Sequence, residues 1–303
     1  MTIEKLNKII LAGQAEDLIR KEEVRHSSAY AVVASKIATK GARVVLISGP
    51  SSSGKTTSSM RIGVELSKIG LPSLQISLDN YFVRRELTPL DADGNYDFEA
   101  LEAIDIAKFG QEMLALVAGE SVNLQKFDFK SGCPGSEGRS VTIDSDTILI
   151  VEGLHALNPK LTTKIASRDK FEIYLSALSP LQLNPTSEIR PRDNVLMRRI
   201  VRDYKYRGRS ALATIESWSA VRRGEQLHIL PFEDEADLII DTSLSYEIAV
   251  LKPYVVPLLV AARDLLDAKR LLSTLETIEP IDDHLVPSNS VIREYIGGSC
   301  FEY

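Results

Sequence analysis

Residues 44–57 read VVLISGPSSSGKTT, and this stretch decides the fold of the chain. The apolar run 44–47 predicts a buried parallel strand, and Gly49 to Thr56 match the spacing G-x4-G-K-[ST] of a phosphate-binding P-loop. Gly49 and Gly54 permit backbone conformations that turn successive N–H groups inward around a phosphate. Because the loop leads into a predicted helix, the positive end of that helix adds to the attraction. The stretch therefore predicts nucleotide binding.

The residues after the second glycine supply the side-chain chemistry of this loop. Lys55 can reach the β- and γ-phosphates of a nucleotide and assist their transfer, and the Thr56 hydroxyl can ligate Mg²⁺. A plain Gly/Ser turn between strand and helix would account for the glycines but not for this Lys-Thr pair. The predicted nucleotide-binding residues of the loop are Gly49, Ser51, Ser52, Ser53, Gly54, Lys55, Thr56 and Thr57.

The composition argues against several classes of protein. The chain has 303 residues, 44% of them hydrophobic, which suits one large domain or one domain with appendages. Its 36 basic and 42 acidic residues give a net charge of −6, so no nucleic-acid partner is expected. Cys133 and Cys300 stand far apart and form neither a disulfide framework nor a metal-binding spacing. Without a signal peptide or an apolar run approaching about 18 residues, a soluble cytoplasmic protein with no membrane contact is expected.

Strands that alternate with helices place the core in the α/β class. After the strand at 44–47, four apolar runs predict the rest of a parallel five-stranded sheet flanked by helices: 74–78, 147–151, 171–175 and 236–241. Two short alternating segments predict a β-hairpin with a long tip at 130–138. The expected organisation of this P-loop NTPase fold is a helical N-terminal extension (1–40), a P-loop core (41–244) and a helical C-terminal extension (245–303).

Several residues predict where helices begin and break. Gly13 and the charged residues 21–25 predict a separation between two N-terminal helices. These helices would pack against the core or against a second subunit, which leaves a homo-oligomer open. A helix is also expected over 97–119, and Pro253 and Pro257 predict breaks in the C-terminal helical region.

Asp79 and Glu152 each follow an apolar strand. In a doubly wound sheet, ligands gather at the carboxyl ends of strands, so both side chains should face the same crevice as the P-loop. A phosphoryl transferase needs a carboxylate to accept the proton of the attacking hydroxyl, and oxygen ligands for Mg²⁺. The alternative is that both are solvated acids that merely end strands. Two such acids at one edge favour the functional interpretation, with Thr56, Glu152 and Asp79 as the predicted metal ligands.

The stretch RRIVRDYKYRGR at 198–209 concentrates six positive charges in twelve residues of an acidic protein. Arg199 and Arg202 are three residues apart and so share one helical face, and Gly208 permits a hinge. Such a segment suits a mobile lid that closes arginines over a γ-phosphate. A solvated helix face or an RNA-binding arm with stacking tyrosines are the alternatives. No Asn-Lys-x-Asp guanine-reading motif occurs late in the core, which disfavours a regulatory GTPase.

In order along the chain, seven motifs together resemble the phosphoribulokinase/uridine kinase family of P-loop kinases. They are GPSSSGKT (49–56), SLDNYF (77–82), YDFEALEAID (96–105), KFDF (126–129), VEGLHAL (151–157), RRIVRDYKYRGR (198–209) and ADLIID (236–241). The segment PSNSVIREYIGGS (287–299) resembles the C-terminal extension of a bacterial-type uridine kinase-like branch. The resemblance implies a sheet of the nucleoside-monophosphate-kinase type, with ATP and Mg²⁺ as cofactors.

The resemblance also implies roles for individual residues. Asp79 corresponds to the catalytic base and Glu152 to a carboxylate at the magnesium. Arginines on the phosphate and lid side are implied at four positions: Arg199 and Arg209 at the nucleotide, Arg202 and Arg207 in catalysis, with Arg202 also at the substrate. On the acceptor side the implied contacts are Tyr81 and Glu99 to a sugar and Phe127 to a base.

Three departures from the family pattern bear on the acceptor. Residues 130–133 stand where uridine kinases carry a pyrimidine-reading histidine, a glutamine expected after the lid is replaced near Trp218, and 178–192 look like an insertion. The sequence therefore predicts an ATP-dependent kinase acting on a small-molecule hydroxyl, with the 5′-hydroxyl of uridine or cytidine as first candidate. A kinase of a sugar or polyol and a non-catalytic nucleotide-binding regulatory protein are the alternatives.

Overall fold

The computed structural model describes residues 1–91, 93–177, 181–184 and 187–302. Its strands are Val44–Ser48 (β1), Ser73–Ser77 (β2), Val122–Asp128 (β3), Cys133–Val141 (β4), Ile148–Glu152 (β5), Lys170–Ser176 (β6), Gln182–Asn184 (β7), Ser187–Glu188 (β8) and Leu238–Asp241 (β9). Five of them form a parallel sheet in the order β2-β5-β1-β6-β9. The predicted α/β fold with a parallel five-stranded sheet is therefore confirmed.

The helices cover both faces of this sheet. They are Ile3–Leu11 (α1), Ala15–Lys40 (α2), Lys55–Lys68 (α3), Ile106–Val117 (α4), Pro191–Arg207 (α5), Ala211–Glu216 (α6), Trp218–His228 (α7), Glu247–Val260 (α8), Leu266–Glu276 (α9) and Arg293–Ile296 (α10). No helix in the described part of the chain is long and apolar enough to cross a membrane.

The central strands β1 and β5 are apolar up to their last residue because each of their faces is buried. Every residue of β1 and of β5 is buried. Val45 and Ile47 of β1 pack in a cluster with Tyr30 of α2 and Ile62 of α3, whereas Leu46 packs on the opposite face with α4. This alternation follows from the twofold period of a strand. The packing of both faces of β1 fixes the direction in which the backbone leaves this strand and enters the P-loop.

The charged residues 21–25 do not separate two helices, as the sequence predicts, but lie inside α2. Glu23 is buried there, 3.2 Å from the guanidinium of Arg61, and accepts a hydrogen bond from the Tyr246 hydroxyl at 2.7 Å. The charge is therefore paired in the interior instead of marking a solvated turn. Gly13 does lie between α1 and α2.

The helix expected over 97–119 begins only at Ile106. Asp105 caps it, since its carboxylate accepts the N–H of Lys108 at 2.9 Å. The residues before the cap use their backbone groups elsewhere: the N–H of Asp105 donates to the Tyr81 carbonyl, and the Ala103 carbonyl accepts from Val83. This bridging to the segment after β2 competes with helix formation.

Pro253 and Pro257 lie inside α8 and do not break it. A proline lacks the N–H that would bond to the carbonyl four residues earlier. For Pro253 that carbonyl belongs to Ala249, and it accepts the N–H of Ile281 at 3.1 Å instead. A contact between segments thus satisfies the group that the proline leaves free.

The hairpin is formed by β3 and β4, but its tip is shorter than predicted. Residues 133–138, expected in the tip, belong to β4, and Cys133 pairs with Asp128. Between them the Asp128 carboxylate accepts the backbone N–H groups of Lys130 and Ser131 at 2.9 and 3.3 Å. Gly132, at φ 72°, completes the turn.

The three predicted segments share one buried apolar cluster, which contains Leu6 of α1, Leu196 of α5 and Leu251 of α8. The division at residues 40 and 244 stays a prediction. Of the insertion predicted at 178–192, residues 178–180 and 185–186 lie outside the described residues.

Candidate active site

The P-loop joins β1 to α3, as the sequence predicts, and two of its glycines sit where a side chain cannot. Gly49 has φ 153° and Gly54 has φ 86°, both strained for other residues. A Cβ at Gly49 would lie 2.3 Å from the Leu175 carbonyl oxygen, and one at Gly54 would lie 2.3 Å from Cγ2 of Val291. The loop is therefore held by β6 on one side and by the C-terminal segment on the other.

The side chain of Lys55 folds back onto the loop that precedes it. Its Nζ donates to the carbonyls of Gly49 and Pro50 at 2.9 and 2.8 Å. Burial lowers the pKa of Lys55, while the negative charges of Glu152 and Asp79 oppose that shift. Because its hydrogen bonds go to neutral carbonyls, this buried ammonium is available to an anion that enters the loop.

The three predicted metal ligands come from two strand ends and the start of α3. The Thr56 hydroxyl donates to the Glu152 carboxylate at 3.3 Å. Ser77 of β2 is the register partner of Glu152 on β5, and Asp79 follows in a 3₁₀ turn over Leu78–Tyr81. Burial, and then the Asp79 charge, raise the pKa of Glu152 to about 7. Because the negative charges of Glu152 and Asp79 repel each other, a cation placed beside both carboxylates is stabilised.

These residues fit Mg²⁺ by donor type. All three offer oxygen, and Mg²⁺ is commonly held by one or two carboxylates together with substrate phosphates. No cluster of three or more His, Cys, Asp or Glu side chains that could enclose a metal occurs in the described ranges. The oxygen donors of Thr56, Glu152 and Asp79 would suit a magnesium ion that substrate phosphates also hold.

Three arginines of α5 surround one buried carboxylate, Asp203. Arg202 donates to it through Nε and Nη2 at 3.0 and 2.8 Å, and the guanidinium of Arg207 lies 3.9 Å away. Arg199 lies 3.4 Å from Asp203 and donates to the Ser51 hydroxyl at 2.7 Å. The charge of Arg202, together with burial, lowers the pKa of Arg207 to about 10. One carboxylate thus holds three cations, and this excess of positive charge favours an anion beside the P-loop.

The side chain of Arg209 points to α6 instead, where it donates to the Ala213 carbonyl at 3.0 Å. Gly208, at φ 63°, ends α5, and a Cβ there would meet open space. Its role as a hinge stays a prediction.

The predicted acceptor residues fall into two groups. Tyr81 is buried, stacks edge-on against Phe109 at 5.2 Å, and donates its hydroxyl to Glu112 at 2.7 Å, so it belongs to the packing of α4. Its predicted contact to a sugar stays a prediction. Glu99 packs closely against Gly224 of α7. A Cβ added at Gly224 would lie only 2.4 Å from the Cβ of Glu99.

Glu99 is electrostatically part of the P-loop region. Burial raises its pKa to about 7, and the positive charge of Arg199 opposes that shift. Because Arg199 also contacts Ser51, the predicted acceptor residue and the predicted nucleotide loop share one arginine.

Phe127 belongs to an aromatic cluster on the hairpin side. Its ring centroid lies 5.7 Å from Phe82 and 5.3 Å from Phe129, and the Arg207 guanidinium lies 4.8 Å above the Phe129 ring. The Phe127 N–H donates to the side chain of Asn80 at 3.1 Å, next to Asp79 in the chain. The structure thus brings the hairpin, the turn after β2 and the end of α5 together.

Several polar contacts of the P-loop were not predicted, four of which are made by Glu225, Glu294, Thr242 and Tyr295. The Ser51 N–H donates to Glu225 at 2.9 Å, and the Thr57 hydroxyl donates to Glu294 at 2.7 Å. The remaining two contacts are made by Thr242, which donates to the Ser53 carbonyl, and Tyr295, which donates to the Ser52 carbonyl. The family-like segment 287–299 was a signal for Glu294 and Tyr295, whereas nothing in the local sequence marks Glu225.

Residues 44–249 match the model of the phosphoribulokinase / uridine kinase family. The chain belongs to this family. It is therefore a kinase, and membership implies that it uses ATP and acts on a small molecule. The stretch that matches contains the P-loop, Asp79, Glu152 and the arginines of α5.

The chain is similar to individual uridine kinases and to solved structures. The uridine kinase of Borrelia duttonii (strain Ly) is 28% identical over 206 residues, 65% of this chain and 85% of the relative. The uridine kinase of Bacillus pumilus (strain SAFR-032) is 27% identical over 208 residues, 68% of this chain and 90% of the relative. A solved structure from Bacillus stearothermophilus, described as a possible uridine kinase, is 18% identical with a TM-score of 0.47, covering 72% of this chain and 100% of that one.

Proposed function

We propose that this kinase transfers the γ-phosphate of ATP to a hydroxyl of a small molecule, with the 5′-hydroxyl of a pyrimidine nucleoside such as uridine or cytidine as first candidate. The observation that carries the proposal is the convergence of Asp79, Glu152 and Thr56 at one edge of the sheet, beside Lys55. A nucleotide-binding module without catalysis would need no carboxylate placed to receive a proton.

The residues of the site divide the tasks of phosphoryl transfer among them, and Asp79 has two. The backbone of residues 49–57 cradles the phosphates, and Lys55 leaves its loop carbonyls to contact the transferred group. Asp79 accepts the proton of the attacking hydroxyl. Mg²⁺, when held by Thr56, Glu152 and Asp79, would neutralise charge on the phosphates. Arg202 and Arg207, clustered around Asp203, offset charge that develops on the transferring group.

The aromatic cluster of Phe82, Phe127 and Phe129 supports a planar acceptor group, since aromatic faces stack on bases. The curated relatives named above are uridine kinases, which supports the same candidate. In the hairpin turn, however, the Asp128 carboxylate is engaged with the N–H groups of Lys130 and Ser131. Because this carboxylate is engaged and residues 130–133 contain no histidine, the turn offers fewer groups that could read a base, which favours a second candidate, a kinase of a sugar or polyol.

An ADP-release assay with and without acceptor tests the proposal. The panel contains uridine, cytidine, adenosine, several sugars and several polyols, each with Mg²⁺ and with EDTA. We expect release that depends on a hydroxyl acceptor and on Mg²⁺, and little release from the Asp79→Asn variant. A polyol as the best acceptor would select the second candidate, and acceptor-independent ADP release alone would contradict transfer.

A further inference from the structure

The C-terminal segment is fixed against the P-loop by residues that lie deep in the protein. Val291 and Tyr295 are fully buried, and Cγ2 of Val291 occupies the space where a side chain at Gly54 would be. The Tyr295 hydroxyl donates to the Ser52 carbonyl at 3.0 Å, and the Arg198 guanidinium lies 5.4 Å from the Tyr295 ring. The backbone of this segment is therefore part of the wall of the nucleotide loop.

Between Val291 and Tyr295, Glu294 points its carboxylate at the start of α3. Oε2 of Glu294 accepts the N–H of Thr57 at 3.3 Å and the Thr57 hydroxyl at 2.7 Å. Thr57 is the third residue of α3, so its N–H is one of the four that have no acceptor within the helix. In a P-loop these N–H groups are the donors that bind nucleotide phosphates.

A carboxylate oxygen and a phosphate oxygen would compete for this donor. Both are anionic acceptors, and two negative charges at one helix terminus repel each other. Glu294 itself is only partly buried, in contrast to its two neighbours in the segment. Its side chain can therefore rotate toward solvent while Val291 and Tyr295 stay packed.

We infer that Glu294 competes with the nucleotide. Its carboxylate occupies a phosphate donor of the P-loop and must rotate away when ATP binds. The inference rests on the proposed function, because it takes residues 49–57 as the ATP site. Its consequence is a lower affinity for phosphate-bearing ligands than the loop would otherwise have, since only the rotated conformation is competent. The contact also keeps the Thr57 N–H satisfied.

The test measures ligand affinity by calorimetry on the full chain, so that it does not depend on turnover. Wild type, Glu294→Gln and Glu294→Ala are titrated with ATP, with pyrophosphate and with adenosine. Glu302→Gln, an exposed acid of the same terminal segment, is the matched control. Thermal unfolding of each variant shows whether the segment remains folded.

We expect Glu294→Ala to bind ATP and pyrophosphate roughly tenfold more tightly than wild type, with Glu294→Gln between them, because a charge-assisted acceptor is removed. Adenosine affinity and the control variant should not change. Equal or weaker ATP binding by both variants would overturn the inference while leaving the proposed function intact. ATP binding by Glu294→Ala alone would support the inference, and no ATP binding by any variant would refute both.

Discussion

The Thr56 hydroxyl donates to the Glu152 carboxylate over 3.3 Å and so joins the end of the P-loop to the end of β5. Glu152 is in turn the register partner of Ser77, two residues before Asp79. Two strand ends and the first turn of α3 thus meet at one edge of the sheet. Substitutions at this edge should change phosphoryl transfer more than they change folding.

For Asp79→Asn we expect kcat to fall by about 10²–10⁴, the usual contribution of general-base catalysis. The amide keeps the shape of the side chain but cannot accept the proton. ATP affinity measured by calorimetry should change little, because the donors of the loop are untouched. A large loss of ATP affinity with normal kcat would assign Asp79 to binding instead of catalysis.

Lys55→Ala should abolish transfer and leave the fold intact. The described hydrogen bonds of Lys55 Nζ go to Gly49 and Pro50 of its own loop, so no contact between distant segments depends on them. The measurements are kcat with the best acceptor and the midpoint of thermal unfolding. Turnover at the wild-type rate by a folded variant would show that the loop does not serve transfer.

Replacing Arg198 should lower the free energy of unfolding, because this residue lies fully buried between the P-loop and the segment after β9. It pairs with Glu247, 3.2 Å from Nε, and donates to the Thr242 carbonyl at 3.0 Å. Arg198→Met leaves the Glu247 carboxylate buried without its partner, which typically costs about 3–5 kcal/mol of unfolding free energy.

The double variant Arg198→Met/Glu247→Leu is the matched control for that experiment. It removes both charges, so we expect it to lose much less stability in urea unfolding than the single variant. If the double variant loses as much as the single one, the packing of the arginine and not its charge stabilises this region.

His155 makes stability depend on pH. It is 2% exposed, and burial, followed by the charge of His228, lowers its pKa to about 4. Because an unfolded histidine titrates near about 6.5, the unfolded chain binds more protons between these values. Stability should therefore fall as the pH is lowered from about 6.5 to about 4.

The check is the unfolding free energy of wild type and His155→Gln at pH 7.5 and 4.5. The variant should lose less stability than wild type over this range, whatever its stability at neutral pH. Parallel losses would show that His155 does not contribute to the acid sensitivity, and would direct attention to His26, which is also buried with a pKa lowered to about 3.

Features carried by local pattern were predictable from the sequence. Apolar runs such as 44–47 predict strands because both faces of a parallel sheet are covered, and the loop spacing predicts the turn of Gly49 and Gly54. Arg199 and Arg202 could be placed on one helical face because residues three apart in a helix are neighbours on its surface.

Features that depend on contacts between distant segments were not predictable. Pro253 reads as a helix break, yet the Ile281 N–H satisfies the carbonyl that it frees. Glu23 reads as part of a polar turn, yet Arg61 and Tyr246 pair it in the interior. Glu225 carries no local signal at all, because only the packing of α7 brings it to Ser51.

The aromatic rings of the hairpin bear on the acceptor preference. In the hairpin the Phe127 N–H is taken by Asn80, which follows Asp79 in the chain, and the rings of Phe82, Phe127 and Phe129 pack together there as an aromatic surface. Such a surface stacks on any base, whereas strong discrimination, about 10⁴–10⁵, requires a buried polar group that hydrogen-bonds the base.

We therefore expect kcat/KM for uridine to exceed that for adenosine by less than about a thousandfold, with a high KM for uridine. Steady-state kinetics with both nucleosides measure this ratio, and Lys130→Ala serves as the diagnostic variant because Lys130 is exposed in the hairpin turn. Trp218 is buried in the helical cluster, so the exposed Lys130 is the candidate for a base-reading group. A larger ratio that collapses in Lys130→Ala would show that this side chain, and not aromatic stacking, selects the pyrimidine.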